Sequence, residues 1–420
     1  MSLAKKINIS ANIQHKRTFS LRIFFAVNIP FPEGQANTRR IRSIARELVN
    51  QGYQAKILIP FSRKPQASVQ VIEGIIVEWC LIPPTEQAFF NAKKRVKLSV
   101  QFISRCLWLR EFWRKSKRKE YDWLYLYQPG IDGLIAAIIA RHFQRRICSE
   151  YVDLLSPSGY RGFIWRIIYC FQVLADRKVA FFSDIIFTIS SLLQDIYQRR
   201  NPHSPVLMFP TLVDTSRFGI GDWYRFRRDL NLKERPVVTF TGSFTRPQGL
   251  RILIEAMVGV AKKFPDIMLL IAGGSLAFDA DDACKLINQH GLEKNSIYLG
   301  TIPETDIIDL LAASDILVMP KLDDPINHAG LSTKLAEYLA SGKAVIASNV
   351  GDVGKYLVNE QHALVVPPGN RDALEMAVLR LLRDRRLCNF LGANGRKIAI
   401  QNFDVKVNVE KLVEALRSHN

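Results

Sequence analysis

Long apolar runs are missing from this 420-residue chain: the nearest, Gly133 to Ala140, is far shorter than the ~18–20 residues of a spanning helix. The first twenty residues carry Lys5, Lys6, Lys16 and Arg17 but no apolar core of the kind a secretory signal needs. The expectation is a basic, disordered tail at 1–20 and a chain that stays in the cytoplasm. The six cysteines, Cys80, Cys106, Cys148, Cys170, Cys284 and Cys388, include no C-x-x-C pair, so neither a zinc site nor a disulfide framework is implied. No helix-turn-helix, zinc-finger or single-strand-binding signature is present, and no nucleic-acid partner is expected. Acidic residues are scarce in one half only. Residues 1–210 hold 32 Lys+Arg against 14 Asp+Glu, net +18, while residues 211–420 hold 26 against 25, net +1.

What is present reads as globular, with 48% hydrophobic and 23% charged residues and length enough for two to three domains. The charge asymmetry points the basic half toward an anionic surface. Within it, residues 91–120 set eleven Lys or Arg against two Glu and interleave Trp108, Phe112 and Trp113. That mixture suits an interfacial helix on an anionic membrane; a core helix with a basic outer face has the same composition. The stretch Arg161 to Phe182 reads as a second such helix.

Leu21 to Ile29 reads as a buried strand, residues 30–35 as a loop, Thr38 to Asn50 as an amphipathic helix stopped by Gly52, and Ala55 to Ile59 as the next strand. This is the opening of a doubly wound α/β domain, in which ligands sit beyond the carboxyl ends of strands. Tyr121 to Tyr127 and Arg146 to Tyr151 read as further strands. Glu150 and Asp153, at a strand's carboxyl end, are candidates for holding an acceptor. The second half continues in the same alternation, with strands at 236–241, in IMLLIAGG and in DILVMP.

The stretch Asp323 to Ser348 reads loop, helix, turn, strand. Unpaired amides at a helix N-terminus attract a phosphate, so Leu331, Ser332 and Thr333 can present N–H groups to one, with Lys334 adding a full charge. Glu337, one turn later, offers two acceptor oxygens suited to the paired hydroxyls of a ribose. An ordinary amphipathic helix with Lys334 and Glu337 in solvent fits the same residues.

The phrase GLSTKLAEYLASGKAVIAS resembles the donor-binding segment of glycosyltransferase family 4, a retaining family with the GT-B fold. MFPTLVDTSRF is similar to that family's interdomain connector. The resemblance implies two facing Rossmann-like domains with a cleft between them: 21–214 on the acceptor side, 215–400 on the nucleotide-sugar side, and 401–420 as a helix packing back. It implies that Gly34 and Gln35 lie in the loop near the donor phosphates and that Glu337 binds the ribose. Gly242, Ser243, Arg246 and Gln248 fall on the phosphate loop, with Gly273 in the next glycine turn. Four positions depart from the family pattern. Ser243 and Gln248 replace its Arg and Lys, leaving Arg246 and Lys334 to supply charge. Tyr127, followed by Gln128, replaces its His, and Ala329 replaces its first Glu, with His328 alongside. Tyr127, Gln128 and His328 are thus the candidates for the catalytic region. No metal or other cofactor is implied, since no Asp-x-Asp motif stands at a strand end; Asp279, Asp281 and Asp282 read as loop charge.

The expected activity is transfer of a sugar from a nucleotide sugar to a glycan or lipid-linked acceptor in cell-surface polysaccharide or glycolipid synthesis. The protein would then work peripherally on the inner face of the plasma membrane. The alternative is a non-catalytic GT-B scaffold subunit of a polysaccharide assembly complex.

Overall fold

The computed structural model describes residues 21–27, 29–32, 36–62, 67–82, 94–155, 162–219, 221–274 and 280–419. Gly34, Gln35 and Asp279 lie outside the described residues. The chain is α/β and divides into two compact units, residues 1–127 with 131–148 and residues 128–130 with 149–420.

The first unit opens with β1 (Arg22–Ala26), whose Ile23, Phe24 and Phe25 are fully buried. Such an uninterrupted apolar run is what a parallel strand covered on both faces requires. It pairs in parallel with β2 (Gln54–Phe61) and β5 (Trp123–Tyr127). Between β1 and β2, helix α1 (Ala36–Asn50) buries Ile41, Ile44, Ala45 and Leu48. The helical spacing of these four is what the sequence displays. Strands β3 (Val69–Ile72) and β4 (Ile75–Leu81) form an antiparallel hairpin where the sequence reading places no element. Its two-residue turn, Glu73 and Gly74, has positive φ at both positions, the backbone twist that tight hairpins need. Val69 and Val71 of β3 face solvent, so its Val-Gln-Val alternation marks an edge strand rather than a core face.

Helices α2 (Lys94–Lys117) and α3 (Ile131–His142) complete this unit. Here the structure corrects an expectation. Trp108 is 3% exposed and its indole N–H donates to the Leu58 carbonyl at 3.2 Å. Phe112 stacks between Trp108, Phe24 and Tyr121. Both are core residues rather than interfacial anchors. Lys115 is buried as well, its ammonium 2.7 Å from Glu78 and 3.3 Å from Glu120. Burial alone would lower its pKa, but the two carboxylates outweigh it and leave the ammonium raised. Trp113 does remain 45% exposed, stacked on His142.

Strand β6 (Arg146–Tyr151) joins an eight-stranded sheet of order β3-β4-β2-β1-β5-β6-β7-β8, the last two being β7 (Ile185–Thr188) and β8 (Val206–Met208). Helix α4 (Phe163–Phe182) precedes β7 and helix α5 (Ser191–Arg200) follows it. The short helix α6 (Trp223–Asp229) leads to a second sheet.

That sheet has six strands: β9 (Val237–Gly242), β10 (Met268–Gly273), β11 (Ser296–Gly300), β12 (Ile316–Met319), β13 (Ala344–Ser348) and β14 (Leu364–Val366). All pairings are parallel, in the order β11-β10-β9-β12-β13-β14. The chain winds outward from β9 to β11, then returns to β12 and winds the other way. The order therefore reverses between β9 and β12, where a doubly wound sheet opens a crevice at the carboxyl ends of its strands. Connecting helices are α7 (Leu250–Lys263), α8 (Ala280–Gln289), α9 (Glu304–Ala313), α10 (Pro325–Ala329), α11 (Thr333–Ala340) and α12 (Val353–Tyr356). Three more, α13 (Arg371–Arg383), α14 (Arg385–Asn402) and α15 (Val405–Ser418), close the chain. Strands β9, β10, β12 and β13 with α7 and α13 enclose one core, including Phe240, Leu253, Leu269, Val318, Ile346 and Val378.

Candidate functional site

The switch point is built by the loops after β9 and β12. Strand β9 ends at Gly242 with φ +127°, and β12 runs into Pro320 and Lys321. The two loops are tied together: the Leu322 N–H donates to the Pro247 carbonyl at 3.0 Å. Asn327 Nδ2 donates to the carbonyls of Pro247 and Leu322, both at 2.8 Å. Gly249, at φ +74°, allows the approach, since a Cβ there would lie 1.7 Å from the Pro320 carbonyl oxygen.

Helix α11 is fixed against β9 by Tyr338, whose hydroxyl accepts from the Thr241 N–H at 2.8 Å. One turn earlier, Lys334 points inward rather than to solvent. Its ammonium donates to Gln248 Oε1 at 2.6 Å and lies 4.8 Å from the Phe240 ring centroid. Gly242 leaves room for it: a Cβ at that position would meet the ammonium at 2.6 Å and push the side chain aside. Ser332 occupies the N-cap position without its side chain capping, so the first-turn amides are not closed off by their own cap. Burial pulls the Lys334 pKa down to about 7, the neighbouring Lys321 charge acting the same way and Glu337 opposing. Burial likewise pulls Lys321 down to about 8 against Asp153.

Lys334, Gln248, Gly242 and the start of α11 thus converge as the sequence places them. Gly273 pairs in register with Gly242 at the end of β10. Glu337 is half-buried and engaged. Ser243 and Arg246 are exposed. The cation beside Lys334 is Lys321, which the sequence reading passes over. Its position directly after a β12 strand end was the available signal.

The other candidates are held by their own surroundings. Gln128, at φ +43°, accepts from the Val152 N–H at 2.9 Å and donates to the Asp153 carbonyl at 3.0 Å, so its amide braces the end of β6. Tyr127 closes β5 in the first unit, half-buried. Glu150 is fully buried within β6 and engaged. Asp153 lies close to the loop that runs into α11: a methyl group on Gly330 would sit 4.0 Å from its Oδ1. Desolvation raises its pKa against the pull of Lys321. His328 is exposed; its Nδ1 accepts from the Gly351 N–H at 3.3 Å, which leaves Nε2 to donate to Asp323 at 2.5 Å. Three further bonds tie the start of α5 to Ala329 and to Asp352 beside Gly351. Ser190 donates to the Ala329 carbonyl at 2.5 Å, and the Asp352 carboxylate accepts from Ser191 N–H and hydroxyl at 2.6 and 2.5 Å. Among the described residues no group of three His, Cys, Asp or Glu side chains is arranged to hold a metal ion.

Two lysines and the N-terminus of α11 thus lie at the carboxyl ends of β9 and β12, the place where doubly wound sheets take their ligands. Comparison with known proteins narrows the reading. The family model for glycosyl transferases group 1 matches residues 224–398. A GDP-mannose-dependent alpha-(1-6)-phosphatidylinositol monomannoside mannosyltransferase of Mycolicibacterium smegmatis is 24% identical over 245 residues, 57% of this chain and 64% of that protein. An alpha-D-kanosaminyltransferase of Streptomyces kanamyceticus is 24% identical over 191 residues, 46% of this chain and 48% of that protein. The chain thus spans about half to two thirds of the length of these curated relatives. Among solved structures, sucrose-phosphate synthase from Thermosynechococcus elongatus superposes with a TM-score of 0.71 at 18% identity, covering 95% of this chain and 98% of that one. Anabaena HepE in complex with UDP-glucose gives 0.68 at 19% identity, covering 95% and 100%. The chain has the GT-B fold, and its residues 224–398 are similar to glycosyltransferases of the group 1, family 4 type.

Proposed function

We propose that this protein is a retaining glycosyltransferase that moves a sugar from a nucleotide-sugar donor to a glycan or lipid-linked acceptor, working against an anionic membrane surface. The observation that carries the reading is the inward-turned Lys334, packed between Gly242 and Gln248 at the N-terminus of α11. Ammonium and first-turn amides together favour a diphosphate leaving group. Charge that grows on that group as the sugar departs is met by donors already in place, which is where such a reaction gains most. Glu337 takes the ribose hydroxyls. The leaving phosphate itself serves as base toward the acceptor, so the chain needs no histidine at Tyr127. Donor binding is assigned to residues 215–400 and acceptor binding to residues 21–214, with Asp153 the acceptor-side carboxylate.

The names of relatives support this direction: one acts on a phosphatidylinositol mannoside and another was solved with UDP-glucose. Helix α4 supports the membrane part. Phe163, Ile167, Phe171, Leu174 and Phe181 are all exposed and recur at helical spacing along one side, flanked by exposed Arg166, Arg177 and Lys178. Apolar side chains with a basic margin are what an interfacial helix presents to anionic lipid. Among the described residues no helix is long and apolar enough to cross a membrane. The location this implies is the inner face of the plasma membrane.

The test is thermal melting with UDP, GDP and ADP, followed by transfer assays with the sugar nucleotides of whichever base binds. Ligand at a hundred times its dissociation constant stabilises by about 2.7 kcal/mol. Stabilisation by one of the three is expected; silence for all would point instead to a non-catalytic scaffold.

A further inference from the structure

Lys321 is 7% exposed, yet among the described residues its ammonium makes no hydrogen bond and no ion pair. A buried cation left so is costly unless something anionic completes its surroundings. Its segment is not free to move it out, because Leu322 and Asn327 bind Pro247 on one side and the Pro320 carbonyl abuts Gly249 on the other. The charges acting on it and on its neighbour are few. Asp153 acts on Lys321, while the Lys321 charge and Glu337 of α11 act on Lys334. Gln248, from the loop after β9, brings only a neutral acceptor oxygen to Lys334. Both lysines stand at the carboxyl ends of the strands flanking the reversal in sheet order, where a doubly wound sheet takes its ligand.

We propose that Lys321 is the second cation of the donor site, and that it and Lys334 hold one diphosphate between them. The inference rests on the donor-site reading above and specifies it: the charge that Ser243 and Gln248 do not carry comes from the loop after β12, not from the exposed Arg246. Their depressed pKa values fit such a site. The Lys321 charge disfavours that of Lys334, and a dianion between the two ammonium groups favours both.

The test is calorimetric titration with UDP, GDP and inorganic pyrophosphate at pH 7 and pH 9. Lys321→Met should weaken both pyrophosphate and the preferred nucleotide ten- to a hundredfold, while Arg246→Ala stays within about threefold of wild type. Lys321→Arg should restore affinity and make its decline from pH 7 to pH 9 shallower than in wild type, because a guanidinium keeps its charge across that range. Melting curves establish that each variant is folded. Wild-type affinity in Lys321→Met would overturn the inference while leaving the donor-site reading intact. Failure of Lys321→Arg to rescue a folded Lys321→Met would overturn it too. Absence of binding by the wild-type protein to all three ligands would overturn both.

Discussion

In α2 the aromatic side chains Trp108 and Phe112 turn into the first unit and Lys115 follows them, whereas in α4 Phe163, Ile167, Phe171, Leu174 and Phe181 lie open along one side. Both stretches mix aromatic and basic residues, and composition alone treats them alike. The difference lies in what each helix is packed against. Strand β2 and the aromatic Phe24–Tyr121 pair receive the α2 side chains, and Glu78 and Glu120 receive the lysine. Helix α4 buries Ala175, Asp176, Val179 and Ala180, a face made mostly of small residues, and leaves its largest ones outside. A buried aromatic holds the fold; an exposed row of them is a surface with a use.

Mutation should widen this contrast. The largest effect is expected for Trp108→Ala, which removes a buried ring and its hydrogen bond to the Leu58 carbonyl, lowering stability by about 3–5 kcal/mol in denaturant titration. A loss below about 1 kcal/mol would mean that Trp108 is not core. Next, Phe163, Ile167, Phe171, Leu174 and Phe181 changed together to Ser should abolish co-sedimentation with anionic liposomes while leaving the melting temperature nearly unchanged. Retained binding would remove α4 from the membrane reading. The exposed basic set Arg114, Lys117, Arg118 and Lys119 changed to Gln should weaken liposome binding by at most about 1 kcal/mol per residue; Lys115 is excluded because it is buried.

Lys115→Met should cost about 1.5–3 kcal/mol at neutral pH, since it removes the more buried of two lysines that Glu78 and Glu120 share, Lys56 being the other. The pH dependence follows from Glu120. Burial would raise its pKa, but Lys115 and Lys56 hold it below the usual value. A carboxylate whose folded pKa is depressed contributes stability above its unfolded pKa and loses it as pH falls through the folded value. The gap between wild type and Lys115→Met should therefore narrow below about pH 4.5, in a series of denaturant titrations from pH 7 to pH 3. The smallest effect is expected for Phe171→Ser alone, within about 0.5 kcal/mol of wild type; a larger loss would mean that α4 is covered after all.

Much of the fold was legible because its signals are local. The run of Ile23, Phe24 and Phe25, the spacing of Ile41, Ile44, Ala45 and Leu48, and the glycines after strands each name an element without reference to the rest of the chain. The start of α11 was legible for the same reason, as loop, short polar residues and lysine adjoin in sequence. What was not legible depends on contacts made across distance. Trp108 and Trp113 are five positions apart and equally aromatic, and only the neighbouring strand decides which is buried. The β3–β4 hairpin carries a period-two pattern, but its valines face solvent and β3 is an edge strand, so the pattern points to no core until the sheet is assembled. Lys321 reads as one more surface lysine until Gly249 and Asn327 close over its backbone. Glu150 and Gln128 read as chemistry, whereas one is interior to a strand and the other braces its end.

The Ser190 hydroxyl holds the segment that runs into α11 and the Asp352 carboxylate holds Ser191 beside it, through bonds spanning 139 and 161 positions of sequence. Amide exchange at Gly330 and Leu331 should therefore report on α5 as much as on the loop itself. Removing one hydroxyl at Ser190 would quicken deuterium uptake at the proposed phosphate site, with no change to Lys334 or Lys321.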